Sequence, residues 1–368
     1  MPHVSQMASY KIADEKSLSQ RLDIEHWERG IEGLDSITKI TPQNWQYFTS
    51  LFVKQQDADS YLTSPAYYAF TGRNGLWIHQ EGDSFVPFCW HPNTEGQILV
   101  FPTRGEPHIS VLQNLLQQLP EPPQGVRLAR IKKDAPSPHA SENFVFAPIV
   151  ENVLDWKYPV RVLSTERAAK MEGPDFRYIR NHVKHAKSSG AGVLDLNDAS
   201  KAMLNDFIDR WAESHSANAK DREGIAVLYH KILSFADDPA TKVRGFVVTM
   251  DNRIEALSMW DVSNCDEPTG NRFVNLCNRD IRGIADFATQ CLAQQLYDQG
   301  IGFLNIGGAE TESLDQFKSK FMPVRNIEMY SVSVVYVNPM TAQLYPNYPE
   351  SASTASRSDR SRPGLLPG

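Results

Sequence analysis

A chain of 368 residues with 41% hydrophobic side chains is long enough for two domains, each with its own core. No apolar run approaches the ~20 residues that span a bilayer, and the opening MPHVSQMASY lacks the basic start and hydrophobic stretch of a secretory signal, so a soluble, cytoplasmic protein is expected. The formal charge of −7 argues against a surface that grips nucleic acid on all sides, though it allows a local basic patch, and four scattered cysteines without a C-x-x-C pair indicate neither a zinc knuckle nor a disulfide framework.

Residues 1–33 read as a polar lead-in. Trp45, Phe48, Leu51 and Phe52 then fall at helical spacing, and Gly75–His79, Phe85–Trp90 and Gln97–Phe101 read as short strands separated by turn residues. Ile109, Leu112, Leu115, Leu116 and Leu119 mark one face of a helix that stops at Pro120, and a strand follows around Val126–Ile131. Phe144 to Leu163 is expected to cross into a second unit. There, helices are predicted over Asp175–Lys187, Ala199–Ser214 and Ala226–Phe235, then strands at Val243–Met250 and Ile254–Val262 joined by the tight turn Asp251-Asn252-Arg253, and a third strand at Phe273–Cys277. Ile284, Phe287, Ala288, Cys291, Leu292 and Leu296 share one helical face, Ile301–Ile306 is the next strand, and after a helix carrying Leu314, Phe317 and Phe321 the last strand spans Glu328–Val337. This order gives an α+β chain of two similar domains, 34–155 and 156–338, with mixed, largely antiparallel sheets and a cleft between or beside them; 339–368 reads as a flexible tail.

The junction IGFLNIGGAETESLDQFKSKF is the segment richest in chemistry. Gly307 and Gly308 would let main chain approach a ligand, and the following helix, capped by Thr311 or by Ser313 with Gln316, would aim its free N–H groups at it. A strand-to-helix turn in which glycine only relieves strain fits the same residues. A second feature is the stripe Arg177, Arg180, Lys184 and Lys187, beside the apolar stripe Phe176, Ile179, Val183 and Ala186; it suits phosphates of RNA or of CoA, and equally an ordinary solvated face. His182 and His185 form an H-x-x-H pair without an evident third ligand, so no metal is expected.

FRYIRNHVKHAK (Phe176–Lys187), Tyr158–Val160 and LNIGGAETESLDQFKSKFMP (Leu304–Pro323) together resemble the C-terminal domain of phosphatidylglycerol lysyltransferases and their soluble relatives. The resemblance covers about Leu34 to Val337 and implies two tandem acetyltransferase-like (GNAT) domains that move an aminoacyl group from a charged tRNA to an amine or hydroxyl. With no spanning run, a lipid acceptor is not expected; a small molecule or peptide is. In acetyl-CoA-using GNAT domains the loop before the crossover helix usually reads Gln or Arg, two residues, Gly, one residue, Gly or Ala; here Asp280, Gly283 and Ala285 stand there. A desolvated carboxylate would repel a pyrophosphate by roughly a few kcal/mol, partly offset by Arg279 and Arg282, which ranks aminoacyl-tRNA above acyl-CoA as co-substrate.

Acyl transfer needs a held carbonyl, a proton acceptor and a stabilised oxyanion, and no G-x-S-x-G elbow or Cys/His pair signals a covalent intermediate. Asn305, Gly307, Gly308 and Lys318 are the candidates for donor and oxyanion, and Glu310 for the proton. Trp260, Asp261, Asn275, Asn278 and Arg279 are expected to face the same cleft, with Arg177, Arg180 and Lys184 for donor phosphates. The resemblance adds Tyr330 as a general acid. Two alternatives stay open: acyl-CoA-dependent N-acylation, and a GNAT pair that only binds or regulates. No permanently bound cofactor is expected.

Overall fold

The computed structural model describes residues 34–53, 64, 66–67, 75–90, 97–101, 109–119, 125–133, 144–148, 158–216, 219–263 and 267–336. The expected lead-in 1–33 and tail 339–368 lie outside the described residues.

Short, alternating apolar segments in the first third pair as strands β1 (Ile37–Lys39), β2 (Trp77–Glu81), β3 (Ser84–Trp90), β4 (Gln97–Val100) and β5 (Gly125–Lys132), with helix α1 (Trp45–Val53) after β1. β1 to β4 run antiparallel, but β4 and β5 are parallel, Gln97 opposite Gly125, so the chain must cross over between them. Helix α2 (Ile109–Gln118) makes that crossover, seating Val111, Leu112 and Leu115 on Phe88, Ile98, Val100 and Leu128. β6 is Phe144–Pro148.

The second unit opens with β7 (Val160–Ser164) and helices α3 (Thr165–Lys170) and α4 (Arg177–Ser188). Strand β8 (Gly192–Asp195) and helices α5 (Lys201–His215) and α6 (Ala219–Ala236) follow, then β9 (Arg244–Met250) and β10 (Arg253–Val262). Asp251 and Asn252, with φ of 48° and 59°, make the tight turn between these two, a conformation Asp and Asn tolerate better than most side chains. β11 (Thr269–Cys277), α7 (Ile284–Asp298), β12 (Phe303–Asn305), α8 (Glu312–Ser319) and β13 (Arg325–Ile327) complete the unit, and β14 is Met329–Tyr336. Of the two proposed caps for α8, Thr311 serves: its hydroxyl accepts the Leu314 N–H at 3.3 Å.

The strands form two seven-stranded sheets, β1-β2-β3-β4-β5-β14-β6 and β13-β7-β12-β11-β10-β9-β8. The last strand therefore does not join the C-terminal unit as expected. β7 already pairs with β12, Phe303 opposite Ser164, and also with β13, so the place beside β12 is taken; β14 instead fills the first sheet between β5 and β6. The first sheet thus depends on a strand from the far end of the chain, while the second closes on its own first and last strands, β7 and β13.

One core joins the two units. Trp45, Phe48 and Leu51 of α1 pack with Phe207 and Ile208 of α5, Phe235 of α6 and Leu257 of β10, and the Trp45 indole N–H donates to the Thr241 carbonyl at 2.9 Å. On the other face of the second sheet, α3, α4 and α7 enclose Trp260, Phe246, Phe287 and Leu292. At Gly283 the backbone has φ of 82°, and a Cβ there would stand inside van der Waals contact with the His182 carbonyl of α4. Gly283→Ala is accordingly expected to cost about 2–5 kcal/mol from left-handed strain and overlap; a urea midpoint within error of the parent would refute this close approach.

Candidate functional site

β11 and β12 run parallel for three residue pairs only, ending at Asn271 opposite Asn305, after which β11 continues to Cys277 while β12 stops. A β-bulge shifts the register beside Trp260 at the same level. Bulges bend a strand and re-aim its side chains, and here the two strands part. What fills the opening comes from α8. Lys318, only 8% exposed, donates its ammonium hydrogen to the Gly308 carbonyl. Burial drives its pKa down to about 7, the nearby charge of Arg272 pushes the same way, Glu310 and Asp315 oppose, and Arg161 adds slightly to the fall. An amine in that state takes up and releases a proton near neutrality.

The surroundings of Lys318 are braced. Arg161 of β7 grips Asp315 with both carboxylate oxygens, at 2.8 and 2.9 Å, and Arg272 of β11 donates to the Thr289 hydroxyl of α7 at 2.8 Å. Glu310 is exposed at the lip. Across from it on α6 is Tyr229, whose phenol is pushed up to about 12 by burial and then by the Glu310 charge. Trp211 of α5 meets Tyr229 edge-on at 5.5 Å and stacks on His215 at 3.9 Å, and the Arg279 charge helps burial hold His215 below its usual pKa. Lys318, Glu310 and Arg279 are thus joined by three aromatic residues that sequence reasoning missed. Trp211 and His215 at i, i+4 on a helix were a readable signal; nothing in the sequence links Tyr229 to Glu310.

Several expected residues sit otherwise. Gly307 and Gly308 are buried, and most of their polar groups are engaged within the chain: the Gly307 N–H donates to Asn305 Oδ1 at 2.9 Å, its carbonyl accepts the Arg161 N–H at 3.2 Å, and the Gly308 carbonyl accepts from Lys318. The expectation of bare main chain at the doubled glycine is not met, because β7 and the Asn305 amide already satisfy that turn. Trp260 and Asp261 do not face one cleft, since consecutive strand residues point to opposite faces: Trp260 lies in the α7 core, whereas Asp261 accepts from Ser64 Oγ at 2.6 Å and from the Asn271 amide at 3.2 Å. Asn275 stands opposite Ser258, its side-chain oxygen buried and without a partner among the described residues. Asn278 ties its loop to β10 by donating to Glu255 at 2.8 Å. Tyr330 is on β14 in the first sheet, packed with the α2 core rather than with Lys318. Arg180 does not join the exposed stripe either; its guanidinium donates to the Met171 and Gly173 carbonyls at the end of α3, leaving Arg177 and Lys184 exposed. His182 and His185 do not converge: the first pairs with Asp286 at 2.8 Å, the second contacts the Ser189 hydroxyl.

Burial pushes Asp261 up to about 7 from 3.8, with both hydrogen bonds resisting. A carboxylate whose folded pKa is raised contributes stability fully present below pH 3.8 and lost as pH rises through about 7. Asp261→Asn should therefore gain on the parent in urea midpoint between pH 5 and pH 8; an unchanged gap would contradict the assignment.

Among the described residues no helix is long and apolar enough to cross a membrane. Residues 160–333 match the model of the family "Phosphatidylglycerol lysyltransferase, C-terminal". No curated protein matches the chain. A conserved protein of unknown function from Bacteroides thetaiotaomicron has a similar structure, with a TM-score of 0.60 and 16% identity over 81% of this chain and 99% of that one. L-PGS from Bacillus licheniformis aligns with a TM-score of 0.51 and 13% identity, over 81% of this chain and 95% of its own, and FemX with 0.52 and 10%, over 84% and 100%. At such identities the likeness is one of fold. Residues 160–333 are thus similar to the phosphatidylglycerol lysyltransferase C-terminal family, and the fold, two α+β units with mixed sheets, is the one these neighbours share.

Proposed function

We propose that this chain is an aminoacyltransferase that moves an aminoacyl group from aminoacyl-tRNA to an amine of a small-molecule or peptidic acceptor. The observation that carries the reading is the buried Lys318 amine, its pKa lowered to about 7 where β11 and β12 part, within residues that match that family's model. The acceptor nitrogen attacks the ester carbonyl, a C–N bond forms, and the bond from that carbon to the ribose oxygen breaks. Neutral Lys318 accepts the proton the nitrogen loses and returns it to the departing ribose oxygen. Glu310 and the wall of Tyr229, Trp211 and His215 receive the acceptor, whose cationic form the Glu310 carboxylate attracts. Charged tRNA is a co-substrate, no cofactor is permanently held, and the reaction belongs to the cytoplasm, where charged tRNA is found.

The acyl-CoA alternative is disfavoured by the start of α7. There a pyrophosphate would need free helix N–H groups; instead α4 lies against Gly283, and Asp286, in the first turn, already supplies a carboxylate paired with His182 and, at 2.5 Å, with Lys320. Incubation with a mixed pool of charged tRNAs and candidate amines should release the amino acid from RNA into an amide, while calorimetric titration with CoA gives no saturable heat. Saturable CoA binding with tRNA left charged would favour acyl-CoA chemistry, and consumption of neither donor would favour a binding module.

A further inference from the structure

Tyr178 is a large aromatic residue left 59% exposed, and the structure does not leave it loose. One side of its ring rests on the His182 imidazole, with centroids 4.0 Å apart, and His182 is fixed in turn by Asp286, itself held by Lys320. The Lys320 ammonium lies 5.8 Å from the same ring. Lys320 follows Lys318 by two residues, so the braced ring and the buried amine hang from the same end of α8. Arg177 and Lys184 are exposed on α4 to either side along the helix, and neither forms an ion pair with a described residue. Gly283 brings the loop bearing exposed Arg282 against the His182 backbone on the same helix.

We propose that Tyr178 is a stacking platform for an unpaired base of an RNA 3′ end, with Arg177, Lys184 and Arg282 on the flanking phosphates. This rests on the aminoacyl-tRNA reading and adds where the donor's single strand lies. A held aromatic ring with cations around it suits single-stranded nucleic acid, since any base offers a face to stack. A membrane surface would want a broad apolar face, and on this helix the neighbours of Tyr178 are Arg177, Asn181, His182 and His185. The patch is local, in keeping with the chain's net charge of −7.

The test uses the full chain and two uncharged, fluorescently labelled RNA hairpins, one with a four-nucleotide single-stranded 3′ end and one blunt. The parent should bind the overhang hairpin more tightly. Tyr178→Ala should weaken that binding roughly 5- to 150-fold, to the blunt level, with Tyr178→Phe restoring it. Lys184→Glu should weaken both hairpins alike and reduce the slope of log affinity against log salt by about one. Equal binding of the two hairpins by the parent, an unchanged overhang affinity in Tyr178→Ala, or Tyr178-dependent binding to phosphatidylglycerol vesicles in place of RNA would overturn the platform. Because the hairpins carry no amino acid, the two readings fail separately. Loss of overhang binding in Tyr178→Ala beside an absence of transfer would sink only the transfer reading; transfer beside an indifferent Tyr178 would sink only the platform.

Discussion

Lys318→Met is expected to lower single-turnover aminoacyl transfer by about 10²- to 10⁴-fold, the range of a positioned proton-transfer group, while leaving the fold intact. Methionine is close to the lysine stem in length and fills most of the same buried volume. The stability consequence has a definite sign. The folded-state pKa of Lys318 is about 7 against 10.5 for an ordinary lysine, so the stability it allows is present above pH 10.5 and lost as pH falls through about 7. The variant, free of that titration, should gain on the parent by up to about 1.4 kcal/mol for each pH unit descended between those limits, offset by roughly 1 kcal/mol for the lost bond to the Gly308 carbonyl. A stabilised, inactive variant separates a chemical role from a structural one. Near-parental transfer would remove Lys318 from the mechanism.

Deleting β14 should have the largest structural effect. It is the strand that β5 and β6 share, and its loss leaves both ladders open and takes Val332 and Tyr330 out of the α2 core. Ladder hydrogen bonds and the buried face go together, so the first sheet should fail as a unit. Hydrogen exchange is expected to show Gly125–Lys132 and Phe144–Pro148 losing protection, whereas β9 to β11, which lie in the other sheet, stay slow. Unchanged protection of β5 would mean that β14 does not complete the first sheet in solution.

Much of the architecture was legible because it is local. The apolar faces of α2 and α7, the Asp251-Asn252 turn and the strand spacing each follow from periodicity or backbone preference within a dozen residues. Sheet membership was not. An apolar run such as Met329–Tyr336 announces a strand without saying which neighbours it will find, and the answer depended on β7 having occupied the edge of β12. At the site, Lys318 and Glu310 were singled out from the segment after the doubled glycine, and the structure brings them together. The glycines misled: their freedom suggested room for a ligand, whereas Asn305, two residues back, and Arg161, far upstream, use that main chain internally. Arg180 shows the same limit, since its place in a charged stripe did not reveal the carbonyls of Met171 and Gly173 within its reach. Tyr229, Trp211 and His215 were passed over because their helices read as ordinary amphipathic segments, and only the packing of α5 and α6 aims them at the parting strands.

The most direct measurement is the ionisation of the Lys318 side chain in the intact chain, followed by nitrogen NMR of labelled lysines and assigned by the signal missing from Lys318→Met. A midpoint near pH 7 is expected, with Lys318 titrating well before the exposed lysines. A midpoint near 10.5 would contradict the account, because an amine that stays charged and solvated cannot take the proton that aminoacyl transfer must move.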